Sequence, residues 1–475
     1  MTELAARPRW LWLSTGLGIY SALLALLPDA SSRLALLTPA LLAWIAWFIL
    51  SGGPNRWIVS FLCAAFLLPP LPIALGNSGP HPSLLIAALG LLAGLLRLVD
   101  WRVPTDALSR AMVVLFSILT LSVTLAALYS GIPVALGSLA RVLLFGISVY
   151  VFFYVTAGPW TANSAETFRS VRLLFVAGSV SALFACVDFY FQFPAPAGFG
   201  PQFVWLDSGV FRRAQGIFYE ASTLGNFCAF FLVMIATALI RKDSPIARPL
   251  LFAGAAIFAA ALVLSFSRAS LLNLAVSIAT LLWLYRDRFR FRQIALVFLL
   301  AVAAGSAAIH YLLPSFTQLY WTRLSSSATF LLSSTERVLS GRLSSWNVLA
   351  GFLHENPFHA LLGIGYKTLP YSNFVGQPVV GDNMYLTMLV ETGIVGLLAF
   401  LALNIAILVT AWRAARKSDA RASFFGTWVF CFWIGQMFQM LSGDLFTYWR
   451  VMPLYFWALA VAARAADEHP LSRSI

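Results

Sequence analysis

Apolar segments of about 20 residues, separated by mostly short polar connections, follow one another along nearly the whole chain. A helix needs about 20 mostly apolar residues to cross the hydrocarbon core of a bilayer. The segments that meet this condition begin near Trp10, Leu34, Trp57, Ser83, Ala107, Val134, Ser170, Ile217, Pro249, Arg268, Gln293, Met384, Ala422 and Phe446. The pattern predicts an all-α fold, a polytopic membrane helix bundle with about 14 transmembrane helices. We expect residues 1–475 to form a single integral membrane domain.

One apolar stretch, residues 249–285, is too long to be a single span. As one helix it would measure about 55 Å at 1.5 Å per residue, whereas the hydrocarbon core is roughly 30 Å thick. Its only polar cluster is Ser265-Phe266-Ser267-Arg268. The sequence therefore predicts a tight turn between two spans at this cluster, with Arg268 at the membrane boundary.

The positive charges are distributed unequally between the two sides that this topology defines. With an even number of spans both termini share one side, and the positive-inside rule makes that side the cytoplasm. Of the 31 lysines and arginines, all lie on that side except Arg33, Arg141, Arg212, Arg213, Arg268, Arg323, Arg337, Arg342, Lys367 and Arg450. Nearly all of the net charge of +13 therefore lies on the cytoplasmic side, where the topology requires it. No excess of positive charge remains to be explained by nucleic acid, so we expect no nucleic-acid partner.

The composition agrees with a membrane protein and excludes several kinds of site. Only 10% of the residues are charged, against roughly 25% in an average soluble domain. Cys63, Cys186, Cys228 and Cys431 lie in apolar runs without CxxC spacing, so neither a disulfide framework nor a zinc site is predicted. Histidines show no metal-ligand spacing, and no nucleotide-binding motif occurs. We expect neither a metal nor a cofactor.

One outer connection, residues 314–383, is much longer than most others. Loops of this length are usually functional or disordered, and the tryptophans in this one argue against disorder. Between residues 336 and 353 the apolar positions at helical spacing are Leu339, Leu343, Trp346, Ala350 and Leu353. The spacing predicts an amphipathic helix on the outer membrane surface, ended by Asn356-Pro357.

Nine of the ten outer cations are arginines, whose planar fork of donors suits phosphate and carboxylate. We expect Arg213, Arg268 and Arg342 to form an anion clamp, and Arg212 could exchange roles with its neighbour Arg213. The alternatives are structural. Arg268 could extend to lipid headgroups, Arg213 could form a loop salt bridge, and Arg342 could lie on a solvated helix face.

Several outer carboxylates and polar groups are candidate catalytic residues. Glu220 follows Arg213 closely and is a candidate partner carboxylate. Asp382 and Asn383 close the long loop, with Tyr385 next, and could supply a general base or orient an acceptor. Capping of the following helix is an equal and compatible interpretation, because Asp and Asn are favoured N-caps.

Two further carboxylates, Glu391 and Asp444, lie in or near predicted spans. A charge in such a place is costly unless it is paired. We expect each to pair with an arginine such as Arg450.

An outer site has no access to ATP, so an activated donor must bring its own leaving group. A polyprenyl-pyrophosphate-linked sugar meets this requirement, because its diphosphate is anchored at the membrane. Arginines at the boundary could neutralise the diphosphate as the glycosidic bond breaks, without a metal.

The segments that carry these residues resemble the O-antigen ligase and O-antigen polymerase superfamily of bacterial cell-surface polysaccharide assembly. The resemblance covers about residues 205–400. The matching stretches are Arg213 to Glu220, Ser265 to Arg268, Ser340-Gly341-Arg342 with Trp346, Asn356-Pro357, Gly363-Ile364-Gly365, Asp382 to Leu386, and Glu391 to Gly396. Their order around one long outer loop makes the combination specific.

The resemblance implies a metal-independent, inverting glycosyltransferase that uses undecaprenyl-pyrophosphate-linked oligosaccharide. It also implies pyrophosphate handling by Arg213, Arg268 and Arg342. The protein would lie in the bacterial inner membrane among lipids, with both termini cytoplasmic and a periplasmic active site, and chain-length regulator or flippase proteins would be possible partners.

The sequence departs from the ligase pattern at Asp382, where family ligases have a histidine. This difference, together with Gly443-Asp444 and Tyr448-Trp449-Arg450, favours a polymerase of O-antigen or exopolysaccharide repeat units. A ligase that transfers glycan to lipid A-core or another acceptor is the alternative. A transporter of lipid-linked glycan is less favoured, because the ionisable residues gather at the outer boundary and not at the bilayer midplane.

Overall fold

The computed structural model describes residues 42–43, 45–47, 56–71, 80–158, 164–195, 199–206, 209–241, 244–286 and 342–467. Their helices are α1 (Arg56–Leu67), α2 (Ser83–Leu95), α3 (Ala107–Ser130), α4 (Ile132–Thr156), α5 (Ser164–Phe191), α6 (Ala221–Ile240), α7 (Arg248–Leu264), α8 (Arg268–Leu284), α9 (Arg342–Glu355), α10 (His359–Leu362), α11 (Met384–Ala415), α12 (Ala420–Gln439) and α13 (Met452–Asp467). Strands β1 (Phe203–Leu206) and β2 (Gly209–Arg212) form an antiparallel hairpin. Apart from this hairpin the described residues are mostly helical, as the predicted all-α class requires.

The helices identify an integral membrane protein. Six of those described, α3, α4, α5, α6, α11 and α12, are long and apolar enough to cross a membrane, and α1, α2, α7, α8 and α13 are shorter apolar helices. Each coincides with a predicted span. The predicted spans near Trp10, Leu34 and Gln293 lie largely outside the described residues, so the helices do not confirm the count of about 14.

The predicted break within residues 249–285 is present. Helix α7 ends at Leu264 and α8 begins at Arg268. Ser267 is the N-cap of α8, and its side chain accepts a hydrogen bond from the backbone N–H of Ser270. Phe266 has a left-handed φ of 50°, which lets the chain reverse within three residues. The turn places Arg268 in the first position of α8.

The centre of the bundle consists of α6, α12 and α13, whose side chains are almost all buried. A helix that is apolar on every side is expected in such a position. Polar amides cross this centre: the Asn273 side chain donates to the Oε1 atoms of Gln436 and Gln439 at 3.1 and 2.9 Å. Gln439 in turn donates to Ser270 Oγ at 3.2 Å. Interhelical hydrogen bonds of this kind join α8 to α12 directly beneath the α7–α8 turn.

Helix α9 belongs to a small second core formed by residues of the long connection. Leu349 is fully buried against Ile364, Leu369 and Val379, whereas Ala350 is exposed. The helix ends just before Asn356-Pro357, as predicted. The predicted apolar face is confirmed at Leu353, which packs on this core, and wrong at Ala350, because the helix packs on protein through Leu349 instead. Residues 336–341 of the predicted helix lie outside the described part of the chain.

Candidate functional site

Arg213 is hydrogen-bonded to the α7–α8 turn, which carries Arg268, although the two arginines are 55 residues apart in sequence. It follows β2 directly, and its Nε donates to the carbonyl oxygen of Ser265 at 2.8 Å. The backbone N–H of Ala214 donates to the carbonyl oxygen of Leu264 at 2.9 Å. These donors satisfy carbonyl groups that a helix leaves unpaired at its C-terminus. The two arginines are thereby brought to one place.

Arg342, the first residue of α9, approaches the same place. Burial lowers the pKa of Arg213, and the charges of Arg342 and Arg268 lower it further, while Tyr448 and Glu220 act in the opposite direction. Arg268 and Arg342 also repel each other. Like charges that remain within electrostatic range favour the binding of an anion that balances them. We call Arg213, Arg268 and Arg342 the arginine cluster.

Arg212 does not belong to the arginine cluster. Its Nη2 lies 3.5 Å from Oδ1 of Asp188 on α5. The pair lines a separate cavity of about 260 Å³ together with Gln215 and Tyr219. Successive side chains of an extended strand point to opposite sides. The side chains of Arg212 and Arg213, at the end of β2, therefore point in different directions. The structure therefore brings only Arg213 to the cluster.

Asp382 is joined to the arginine cluster through Arg342, whose Nε donates to Asp382 Oδ2 at 3.1 Å. The carboxylate remains 42% exposed, so a substrate can reach it. Asp382 has a left-handed φ of 44°, and the preceding carbonyl of Gly381 accepts a hydrogen bond from Trp346 Nε1 at 2.7 Å. Helix α9 and the end of the long connection are thus held against each other beside the cluster.

Asn383 and Tyr385 form hydrogen bonds that stabilise the fold. Asn383 is the N-cap of α11, and its Oδ1 accepts from the backbone N–H groups of Tyr385 and Leu386, both at 3.1 Å. The hydroxyl of Tyr385 donates to the carbonyl oxygen of Met437 in α12 at 3.0 Å. The capping interpretation of Asn383 is confirmed. The catalytic role expected for Asn383 and Tyr385 stays a prediction.

Glu220 lies beside Arg213, at the beginning of α6. It occupies the N-cap position but does not cap the helix with its side chain. Its Oε2 instead accepts from Thr223 Oγ1 at 2.6 Å. Burial raises the pKa of Glu220, and the hydrogen bond from Thr223 and the charges of Arg450 and Arg213 lower it. The carboxylate therefore balances part of the positive charge of the cluster from a half-buried position.

Arg450 holds the turn that leads to Glu220, a role that the sequence did not reveal. Its guanidinium is buried and donates to the carbonyl oxygens of Ile217 and Phe218 at 2.7 and 2.9 Å. Burial lowers its pKa to about 10. These two bonds fix the short 3₁₀ turn Gly216–Phe218, so Arg450 positions Glu220 through the backbone.

Tyr448 is a further residue of the site that the sequence did not identify. It is buried, and burial raises its pKa, as do the carboxylates of Glu220, Asp444 and Asp382. The phenol therefore lies among the carboxylates and beside the arginine cluster. The one sequence signal was its position in Tyr448-Trp449-Arg450, after the last outer carboxylate.

The expected pairing of Asp444 and Glu391 with an arginine is wrong. Asp444 forms an ion pair with Lys367, and both side chains are largely buried. Glu391 Oε1 accepts from the backbone N–H of Leu369 at 3.2 Å. Arg450, the arginine expected for them, is engaged by backbone carbonyls. The ion pair therefore fastens the long connection to the α12–α13 turn.

We expect Asp444→Asn to lower the free energy of unfolding by about 3–5 kcal/mol, because it leaves the Lys367 ammonium buried without its carboxylate. A thermal unfolding scan of purified protein measures the effect. Asp382→Asn makes the same chemical change in the more exposed pair with Arg342 and should cost less than about 1 kcal/mol. Equal unfolding temperatures for the two variants would contradict this assignment.

Within the described part of the chain, no group of three or more histidines, cysteines and carboxylates is placed to hold a metal ion. The fold and the cluster together define a class: an integral membrane protein that gathers arginines where loops meet one end of its helices. This arrangement suits an anionic substrate held at the membrane surface.

Residues 253–401 match the protein-family model described as O-antigen ligase. The match confirms the resemblance to the O-antigen ligase and O-antigen polymerase superfamily and indicates a membrane enzyme of the O-antigen ligase type. It includes Arg268, Arg342 and Asp382, whereas Arg213 lies N-terminal to it. No curated protein matches the chain.

Proposed function

We propose that the protein is a glycosyltransferase of the bacterial inner membrane that uses polyprenyl-pyrophosphate-linked glycan on the periplasmic face. The observation that supports this most directly is the gathering of Arg213, Arg268 and Arg342 beside one accessible carboxylate, Asp382. A diphosphate is the leaving group that such a cluster suits, because several guanidinium groups can share its charge.

In the proposed reaction, an acceptor hydroxyl oxygen forms a bond to the anomeric carbon of the donor sugar. The bond between that carbon and the pyrophosphate oxygen breaks on the opposite face, so the anomeric configuration inverts. The electron pair leaves with undecaprenyl pyrophosphate, whose developing charge the arginine cluster stabilises. The hydroxyl proton passes to a carboxylate. No metal, nucleotide or other cofactor enters the balance.

We assign the proton acceptor to Asp382. Its carboxylate is 42% exposed and is held by Arg342, so it can reach an acceptor while one arginine fixes its orientation. Glu220 is assigned to the support of Arg213, because it is half-buried and bonded to Thr223. Asn383 and Tyr385 are assigned positioning roles, since one caps α11 and the other joins α11 to α12.

Arg212 is proposed to contact the sugar portion of the donor. It shares its cavity with Asp188, Gln215 and Tyr219, and carboxylate, amide and aromatic groups are common in pockets that orient a polar ligand. The sequence had left open that Arg212 binds the pyrophosphate in place of Arg213. We propose sugar contact for Arg212 instead, because it lies outside the arginine cluster.

The acceptor that we favour is a second lipid-linked repeat unit, which makes the enzyme a polymerase of O-antigen or exopolysaccharide. Asp382 supports this choice, because it stands where family ligases have a histidine. A ligase that transfers glycan to lipid A-core or another acceptor is the second candidate, and the description of the matching family supports it. Chain-length regulators and flippases are the partners that a polymerase would need.

The decisive experiment incubates purified protein with lipid-linked repeat units and no nucleotide, and follows the products by gel electrophoresis and mass spectrometry. The polymerase predicts longer chains on the same lipid. The ligase predicts transfer only when lipid A-core is added. Donor that remains unchanged under both conditions, but crosses the bilayer of a proteoliposome, would replace the enzyme by a transporter.

A further inference from the structure

A large basic cavity lies at the end of the bundle opposite the arginine cluster. Helices α6, α8 and α11 begin at the site and end here, whereas α12 begins here and ends near the site. The cavity measures about 840 Å³, within the range of about 300–1,000 Å³ that holds small ligands. It has no part in the proposed transfer reaction.

The lining of this cavity combines cations, hydroxyl groups and two tryptophans. The cations are Arg241, Arg286, Arg416 and Lys417, and the hydroxyl groups are those of Tyr285, Ser418, Ser423 and Thr427. Among the described residues that line it, none is an aspartate or a glutamate. A concave surface that gathers positive charge without an acidic side chain attracts an anion.

The tryptophans of this cavity indicate a position at the membrane interface. The rings of Trp283 and Trp412 stack with centroids 6.1 Å apart, and the guanidinium carbon of Arg416 lies 5.3 Å from the Trp412 centroid. Tryptophans concentrate at the level of lipid headgroups. On α11, the exposed residues Ile405 and Val409 precede Trp412 and Arg416 at helical spacing. These four residues therefore form one stripe on the helix surface, which runs from apolar side chains to the cavity.

We propose that this cavity binds the phosphodiester headgroup of an anionic phospholipid, whose acyl chains follow the stripe along α11. The guanidinium groups of Arg241 and Arg416 contact the phosphate, and the hydroxyl groups lining the cavity contact the glycerol. Arg241 is already oriented by a hydrogen bond from its Nη1 to Ser423 Oγ at 2.9 Å. Basic pockets between helices at the cytoplasmic side of membrane proteins bind lipids in this way.

The competing explanation is that these cations only stabilise helix ends. Arg241 and Arg416 are the C-caps of α6 and α11, and cations are favourable there because of the helix dipole. Helix capping does not require a cavity, however, nor the convergence of several helix ends on it. The two explanations differ in whether lipid is retained.

The test titrates the detergent-purified full-length protein with phosphatidylglycerol or phosphatidylcholine and counts retained lipids by native mass spectrometry. We expect preferential retention of phosphatidylglycerol. The double variant Arg241→Gln with Arg416→Gln should weaken it roughly 30-fold, the product of two contacts of the size found for basic residues at anionic membranes. The matched control is Arg110→Gln with Arg413→Gln, which neutralises two exposed arginines at the same end of the bundle outside the cavity.

Each other outcome overturns the proposal. Equal retention of the two lipids would mean that the cations only stabilise helix ends. An equal loss of phosphatidylglycerol in the control variant would mean that they act only through the general surface charge. Saturation of the site by inorganic phosphate alone, with displacement of phosphatidylglycerol, would identify a free-anion site and not a lipid site. Thermal unfolding of all variants shows whether a loss of lipid follows from a loss of fold.

Discussion

Replacement of Arg268 by lysine is expected to reduce glycan transfer by at least about 100-fold while the protein remains folded in the membrane. The substitution keeps the positive charge but removes the planar fork that can bind two phosphate oxygens at once. Loss of one donor that stabilises transition-state charge typically costs a factor of about 10²–10³ in kcat. Arg268 lies within electrostatic range of Arg213 and Arg342. If the three share the developing charge of the leaving group, as we propose, kcat should fall by more than KM rises.

Arg141→Lys is the matched control for this experiment. Arg141 is also a predicted outer cation, and its Nη2 donates to the Tyr371 hydroxyl at 3.3 Å, so the same substitution tests a guanidinium outside the cluster. We expect at least half of the wild-type rate. Wild-type activity of Arg268→Lys at normal abundance would remove Arg268 from the site. An equal loss in Arg141→Lys would show that arginine content, and not the cluster, is what matters.

The sequence was sufficient to predict the features of the site that depend on local chemistry. The turn at Ser265-Phe266-Ser267-Arg268 follows from the length of a span and from one polar cluster, and both are visible without a structure. Capping of α11 by Asn383 follows from residue type and position. The resemblance added the order of the segments, and the structure then placed Arg213, Arg268 and Arg342 together.

Features that depend on tertiary contacts were not predictable in the same way. Arg212 and Arg213 are adjacent, and only the course of β2 decides which of them reaches the cluster. Asp444 pairs with Lys367 and not with Arg450, although Arg450 is closer in sequence. The lysine lies 77 residues away in the long connection. Its approach depends on how that connection folds, which no periodicity encodes.

The buried face of α9 shows why periodicity alone was wrong by one position at Leu349. Apolar residues occur on more than one side of this helix. A helical spacing can therefore be drawn through Leu349 or through Ala350, and the two choices differ by one position. The choice between them depends on the partner surface. Here that partner is a protein core around Leu369 and Val379. The indole N–H of Trp346 donates a hydrogen bond to the carbonyl oxygen of Gly381.

The candidate site depends on the folding of the long connection. Arg342 and Trp346 on α9 hold Asp382 and Gly381 at the end of that connection. The Lys367 pair with Asp444 holds its middle against the α12–α13 turn. Arg213 and Arg268 are fixed independently by the end of α7. Arg213 and Arg268 are therefore supported separately from Asp382, whereas Arg342 belongs to both parts of the proposed site. Variants of Arg268 and Asp382 should have separable effects.

Asp382→Asn is expected to lower the transfer rate by about 10²–10⁴-fold, the usual contribution of a positioned general base. The amide can still accept a hydrogen bond from Arg342, so the support of α9 is largely retained while the proton acceptor is lost. Binding of the lipid-linked donor, measured separately, should change little because the arginine cluster is intact. Normal turnover of Asp382→Asn would exclude Asp382 as the base and leave Glu220 as the next carboxylate to test.

Asp382→His distinguishes a base from a residue that only positions Arg342. An imidazole can accept the hydroxyl proton, but it cannot form the same ion pair with a guanidinium. If Asp382 is the base, the histidine variant should exceed the asparagine variant by at least about tenfold. The acid limb of its pH–rate profile should also move upward, because an ordinary histidine titrates more than about two pH units above an ordinary aspartate. A variant as inactive as Asp382→Asn, with an unshifted profile, would assign Asp382 to the orientation of Arg342 alone.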